Sequence, residues 1–171
     1  MPDTWRGVLF FVSINFTTFV IRFLKIIIMF TTSHFHPMFV HFPVALIIFG
    51  FFAAIASLIH KKETWLPATS LYLLILGTLA ALVAVLTGVF FTEETTGAAN
   101  EIGELHEHLA WITLGLLVAT SALYIYLKVK KIEKPGLKWC AFALYALSAI
   151  SVGVTGFYGG TLVYNFMILA H

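Results

Sequence analysis

The chain is written in long apolar runs separated by short polar punctuation. Runs from roughly Met38 to Ile59, Pro67 to Phe91, Leu105 to Leu127 and Trp139 to Phe157 hold almost no charged residues. About 20 such residues cross the hydrocarbon core of a bilayer as one helix. The pattern therefore predicts four transmembrane helices packed as a bundle, an all-α polytopic membrane fold.

Proline and glycine mark the ends of these spans. Pro37 suits the first turn of a helix, where a missing N–H has no partner anyway. Pro43 removes the backbone bond to Phe39, so the regular part of the first span begins either near Met38 or near Pro43. Gly97, Asn100 and Gly103 make the stretch from Thr92 to Gly103 read as a turn-rich loop. Pro135-Gly136 breaks the loop from Lys128 to Lys138, and Tyr158-Gly159-Gly160 onward extends the fourth span or re-enters.

A further apolar run, Val8 to Met29, carries Arg22 and Lys25 three residues apart on one helical face. It reads as an additional N-terminal apolar helix, either peripheral or spanning, or as a dispensable extension. The expected organisation is thus an N-terminal segment over residues 1–33 and a four-helix transmembrane domain over residues 34–171.

Composition sharpens this reading. The 171 residues are 60% apolar and 11% charged, with a mean hydropathy of +0.97, whereas a soluble domain carries about 25% charge. The net charge of +2 gives no footing for a nucleic-acid partner. One cysteine, Cys140, excludes an internal disulfide and a C-x-x-C-H haem attachment. No Walker, G-x-G-x-x-G, H-E-x-x-H or G-x-S-x-G pattern occurs, so the chain reads as a redox carrier or membrane subunit rather than a stand-alone enzyme.

Charge placement gives orientation. Lys61 and Lys62, and the five lysines from Lys128 to Lys138, sit in two loops at one end. The loop over 92–104 holds four glutamates and no basic residue. The positive-inside rule assigns the lysine loops to the cytoplasm and the acidic loop to the outside.

That orientation brings histidines together. His34, His36 and His41 precede or open the first span, and His106 and His108 open the third, all at the outer face. His106 and His108 differ by about 200° around a helix, so only one can face the bundle centre. Ala45 and Ala110 lie one turn deeper than His41 and His106 and leave room for a flat ring. On the fourth span Ala146, Ala149, Gly153, Gly156 and Gly160 form a stripe of small residues suited to close helix approach.

Three readings of the histidines stand side by side. In the first, His41 and His106 are axial ligands of a b-type haem, with His36 and His108 as alternates. Gly156 and Gly160 then border the macrocycle, and the site passes electrons between quinol in the membrane and an outer-face redox protein. In the second, the same histidines join Glu104 or Glu107 around a divalent metal. In the third they bind no cofactor and hydrogen-bond to loops and headgroups, or dock a partner protein. His60 alone lies at the lysine end, so no second bis-histidine site is expected there.

The segment His36-Pro37-Met38-Phe39-Val40-His41-Phe42-Pro43-Val44-Ala45-Leu46 resembles the H-P-x-x-V-H-F-P-[IV]-A-L opening of the bacterial predicted membrane proteins known as domain of unknown function 2231. Thr87-Gly88, His106-Glu107-His108-Leu109-Ala110 and Gly159-Gly160-Thr161-Leu162-Val163-Tyr164 fit the same pattern. The resemblance covers about residues 34–166. It implies a four-helix domain of the bacterial cytoplasmic membrane, without an established activity. Members look like simple relatives of four-helix haem-b membrane proteins.

Overall fold

The computed structural model describes residues 18, 19, 21, 35–91 and 97–168. The expected N-terminal segment over 1–33 lies almost wholly outside the described residues. Within them the chain forms five α-helices and no strand: α1 (Phe35–Phe39), α2 (His41–Ile59), α3 (Trp65–Phe91), α4 (Ala98–Val129) and α5 (Pro135–Leu162). A π-helical segment, Val163–Ile168, continues α5. Four spans are long and apolar enough to cross a membrane, and α1 and α2 together make the first of them.

Local chemistry explains where the elements begin. Pro43 has no N–H to offer the carbonyl of Phe39, and the helix is interrupted at Val40 between α1 and α2 although Val40 keeps helical backbone angles. Pro43 itself is accommodated in the first turn of α2. Pro135 occupies the first turn of α5, where it costs no bond. The third span starts earlier than its polar composition suggests. Gly97 adopts a φ of 67° that turns the chain, and Ala98-Ala99 continue as helix. Glu101 in the first turn complements the helix dipole, and the Asn100 amide donates to Glu104 Oε1 at 2.8 Å across one turn.

The spans pack as a ring. The first packs against the second and fourth, and the third also lies between the second and fourth. The tightest pairings are within each helical hairpin, α2 on α3 and α4 on α5. One large side chain from each span fills the centre: Ile47, Leu74, Leu117 and Tyr145 have no exposed surface. Phe, Trp and Leu side chains elsewhere point outward, as a lipid-facing surface requires; Phe49, Ile150 and Phe157 are examples.

Hydroxyls tie the helices where lipid supplies no water. Thr113 bonds Ser151 at 2.6 Å and Thr155 at 2.8 Å, and Thr120 bonds Ser148 at 2.9 Å, all between α4 and α5. Thr78 of α3 bonds Ser121 of α4 at 2.8 Å across the two hairpins. Such bonds contribute about 0.6 kcal/mol on average inside a membrane. The small-residue stripe of the fourth span is only partly the packing face. Ala149 is buried, but a side chain added at Gly153 or Gly160 meets nothing within 4 Å. The buried face runs instead through Ala141, Tyr145, Ser148, Ala149 and Val152.

One contact sets a sharp steric limit. A Cβ at Gly50 lies 2.2 Å from the Tyr145 hydroxyl and 2.9 Å from Leu73 Cβ. That hydroxyl is sealed from solvent beside the buried Ser70 hydroxyl. Gly50→Ala is therefore expected to cost about 1–3 kcal/mol by overpacking, although alanine is ordinarily the better helix former. Tyr145→Phe, which removes the hydroxyl that a Cβ at Gly50 would meet, is expected to relieve part of the Gly50→Ala defect. Thermal unfolding of the four proteins in one detergent checks both expectations.

Candidate functional site: a histidine pair between two hairpins

The first and third spans sit diagonally in the ring, and each carries a histidine near the same end of the bundle. His36 of α1 and His106 of α4 meet there, with ring centroids 6.1 Å apart and planes crossing at 73°. Both side chains are half-buried.

Each ring is anchored inside its own hairpin. His36 Nδ1 lies 2.9 Å from the Ala84 carbonyl oxygen and 3.3 Å from Thr87 Oγ1 on α3. His106 Nδ1 lies 3.0 Å from the Thr155 carbonyl oxygen on α5. A carbonyl only accepts, so Nδ1 donates in both rings. In the neutral tautomer this leaves each Nε2 as a lone-pair nitrogen. No hydrogen bond to either Nε2 occurs among the described residues, and neither atom is sealed from a small probe.

A glycine lies against each ring. A Cβ at Gly88 falls 3.0 Å from His36 Cε1, and one at Gly159 falls 2.9 Å from His106 Cε1. In both hairpins the glycine follows the anchoring carbonyl by four residues, Ala84 to Gly88 and Thr155 to Gly159. That is one helical turn on the same face. The two halves of the site therefore repeat a single design.

Beside the pair is an apolar cavity of about 70 Å³ lined from all four spans. Ala81, Ala84, Ala110 and Gly156 keep its walls thin, with Pro43, Val44, Val85 and Val152 completing the apolar surface. Thr113, committed to Ser151 and Thr155, is its main hydroxyl contact.

Several expected residues stand elsewhere. His41 is exposed and donates from Nδ1 to the Pro37 carbonyl at 2.7 Å, so it is His36 and not His41 that meets His106. Five residues separate the two, about 140° around a helix, which turns one inward and the other out. Ala45 follows His41 to the exposed side. His108 is exposed and donates to the Glu104 carbonyl at 2.7 Å. Gly160 lines an open groove of about 300 Å³ with Phe157, Thr161, Tyr164 and Asn165, on another face of α5 from His106. Ala110 and Gly156 do border the histidine pair. Glu104 and Glu107 are exposed. Among the described residues no group of three His, Cys, Asp or Glu side chains is arranged to hold a metal ion.

The residues missed by the sequence reading are mostly backbone acceptors and small wall residues. The carbonyls of Ala84 and Thr155 have no sequence signature. Gly88 and Gly159 do have one, because both stand in the segments that carry the family resemblance.

A family model described as predicted membrane protein (DUF2231) matches residues 32–170. No curated protein matches the chain. No solved structure matches it.

Burial separates the histidines by reactivity. Diethyl pyrocarbonate is expected to modify His41 and His108 well before His36 and His106 in the folded protein. Peptide mass spectrometry over a time course reads the order directly, and equal rates at all four would mean that the pair is not sheltered.

Proposed function

This chain belongs to the DUF2231 family of predicted membrane proteins, and we propose that it carries a bis-histidine metal site in which His36 and His106 are the two protein ligands. The observation that carries the reading is the state of the two rings. Each Nδ1–H is held by a backbone carbonyl, the orientation that a metal-ligating histidine adopts toward its outer partner, and each Nε2 is left without a hydrogen bond.

The metal proposed is the iron of a b-type haem, and the role is electron transfer across the outer leaflet. Two protein ligands are what a haem iron takes from a helical bundle, since the macrocycle supplies the remaining donors. A bare divalent ion would use three or four protein ligands in a closed site. The nearby carboxylates, on Glu104 and Glu107, are exposed. Apolar walls formed by Ala81, Ala84, Ala110 and Gly156 suit a hydrophobic ring. The cavity of about 70 Å³ is well below the roughly 300–1,000 Å³ of ordinary ligand pockets. A macrocycle would enter only with the two hairpins parted along their seam, and His36 and His106 would then hold it with the anchoring bonds within each hairpin in place. Membrane quinol as donor and an outer-face redox protein as acceptor complete the reading, in a bacterial cytoplasmic membrane with the lysine loops inside.

Protein purified after expression with haem supplied is expected to show a Soret band and a sharp α-band on dithionite reduction. His36→Ala and His106→Ala are each expected to lower haem content at least tenfold, whereas His41→Ala and His108→Ala retain it. A stoichiometric bound metal without a Soret band would favour the bare-ion reading, and absence of both would overturn the site altogether.

A further inference from the structure

The two hairpins present the histidines by the same device, and in each a glycine lies against the ring. Gly88 on α3 and Gly159 on α5 stand one turn beyond the carbonyls that hold His36 and His106. At each, a single added methyl would lie inside ordinary van der Waals contact with the ring: 3.0 Å and 3.3 Å from His36 Cε1 and Nδ1, and 2.9 Å and 3.4 Å from His106 Cε1 and Nδ1. The obstructing atoms belong to rings whose Nδ1 is already tethered, so the ring cannot swing aside without losing its carbonyl. Glycines elsewhere among the described residues meet no imidazole: Gly50 and Gly77 are packed against Tyr145 and Ile47, and a Cβ at Gly115 or Gly153 meets nothing within 4 Å.

From this juxtaposition we infer that Gly88 and Gly159 are a matched pair of positioning residues, one per hairpin, which fix the planes of the two imidazoles and hold them steeply crossed. The inference rests on and deepens the bis-histidine reading: were a haem held by His36 and His106, these two glycines would set the planes of its two protein ligands. The repeat also predicts equivalence. The carbonyl-to-glycine step of one helical turn recurs in both hairpins, and each histidine is held from within its own hairpin, so a change at one glycine acts first on its own hairpin's ring.

Two kinds of measurement test it. In the ferric haem-loaded protein, steeply crossed imidazoles are expected to give a highly anisotropic low-spin electron paramagnetic resonance signal with only its lowest-field feature resolved. Gly88→Ala and Gly159→Ala are each expected to shift that feature or abolish the low-spin species, and Gly153→Ala to leave it unchanged. A three-line rhombic spectrum in the wild-type protein, or loaded Ala variants indistinguishable from it, would overturn the inference.

The second measurement needs no metal. In metal-free protein with ¹⁵N-labelled histidine, both buried rings are expected to show a protonated Nδ1 and an unprotonated Nε2. Gly88→Ala is expected to move the His36 resonances alone, and Gly159→Ala those of His106 alone. If neither moves, the glycines do not position the rings, whatever the protein binds. If they move as expected but no Soret band forms, the haem reading falls and the positioning role stands. Should Gly88→Ala fail to accumulate, the double variant His36→Ala/Gly88→Ala is the control. Removing the ring makes room for the methyl, so the double variant is expected to accumulate better than Gly88→Ala. Equal loss in both would show that the glycine serves helix packing instead.

Discussion

Inside lipid a polar group finds its partner in the protein or goes without one, and this constraint organises the whole bundle. Thr113, Thr120 and Thr78 are each satisfied by a hydroxyl on a neighbouring helix, which fixes the axial register of the spans. The same demand fixes the histidines. A buried imidazole has two nitrogens to satisfy, and the chain satisfies one of them with a backbone carbonyl in each hairpin. Backbone carbonyls in a helix are already engaged, but each has a second lone pair to give. The nitrogen left over in each ring is the feature that turns a packing arrangement into a candidate site.

The four spans form two hairpins whose internal packing is closer than the packing between them. Both anchoring bonds run within a hairpin, and the ring-to-ring contact runs between hairpins. Opening the seam therefore costs the ring contact and some apolar packing near the cavity, while the Thr78–Ser121 bond deeper in the bundle holds the hairpins together. The site is built where the structure yields most easily and is anchored where it yields least.

Much of this was legible in the chain. Four apolar runs specify four spans, and the alternation of lysine and glutamate loops places both histidine groups at one end. The 200° separation of His106 and His108 established that only one of them faces inward, but left which one open. The first histidine was less legible. Proximity to the membrane boundary favoured His41, whereas the backbone stays helical through Val40 and the five-residue step, about 140° around a helix, puts His36 inside and His41 outside. The small-residue cue behaved the same way: Ala110 lines the cavity beside His106, and Ala45 goes outward with His41. On the fourth span an average spacing of three to four residues could not separate Gly159 from Gly160, because adjacent positions differ by about 100°. Only the packing of α4 on α5 resolves that. The carbonyl acceptors were illegible in principle, since every residue has one.

The polar economy of the site bears on what it can bind. No carboxylate joins the two rings: Glu104 and Glu107, the nearest in sequence to His106, are both exposed. A divalent ion there would keep its full charge in a largely apolar surrounding, and uncompensated charge in such a place costs several kcal/mol per ion. A ferrous haem core is formally neutral, because the macrocycle brings two negative charges of its own. Neutral imidazoles, thin apolar walls and missing carboxylates thus form one consistent set of requirements. The acidic residues of this end stay on the surface, and a carboxylate drawn toward the pair would favour a proton on Nε2 and so occupy the lone pair that the two carbonyls leave free.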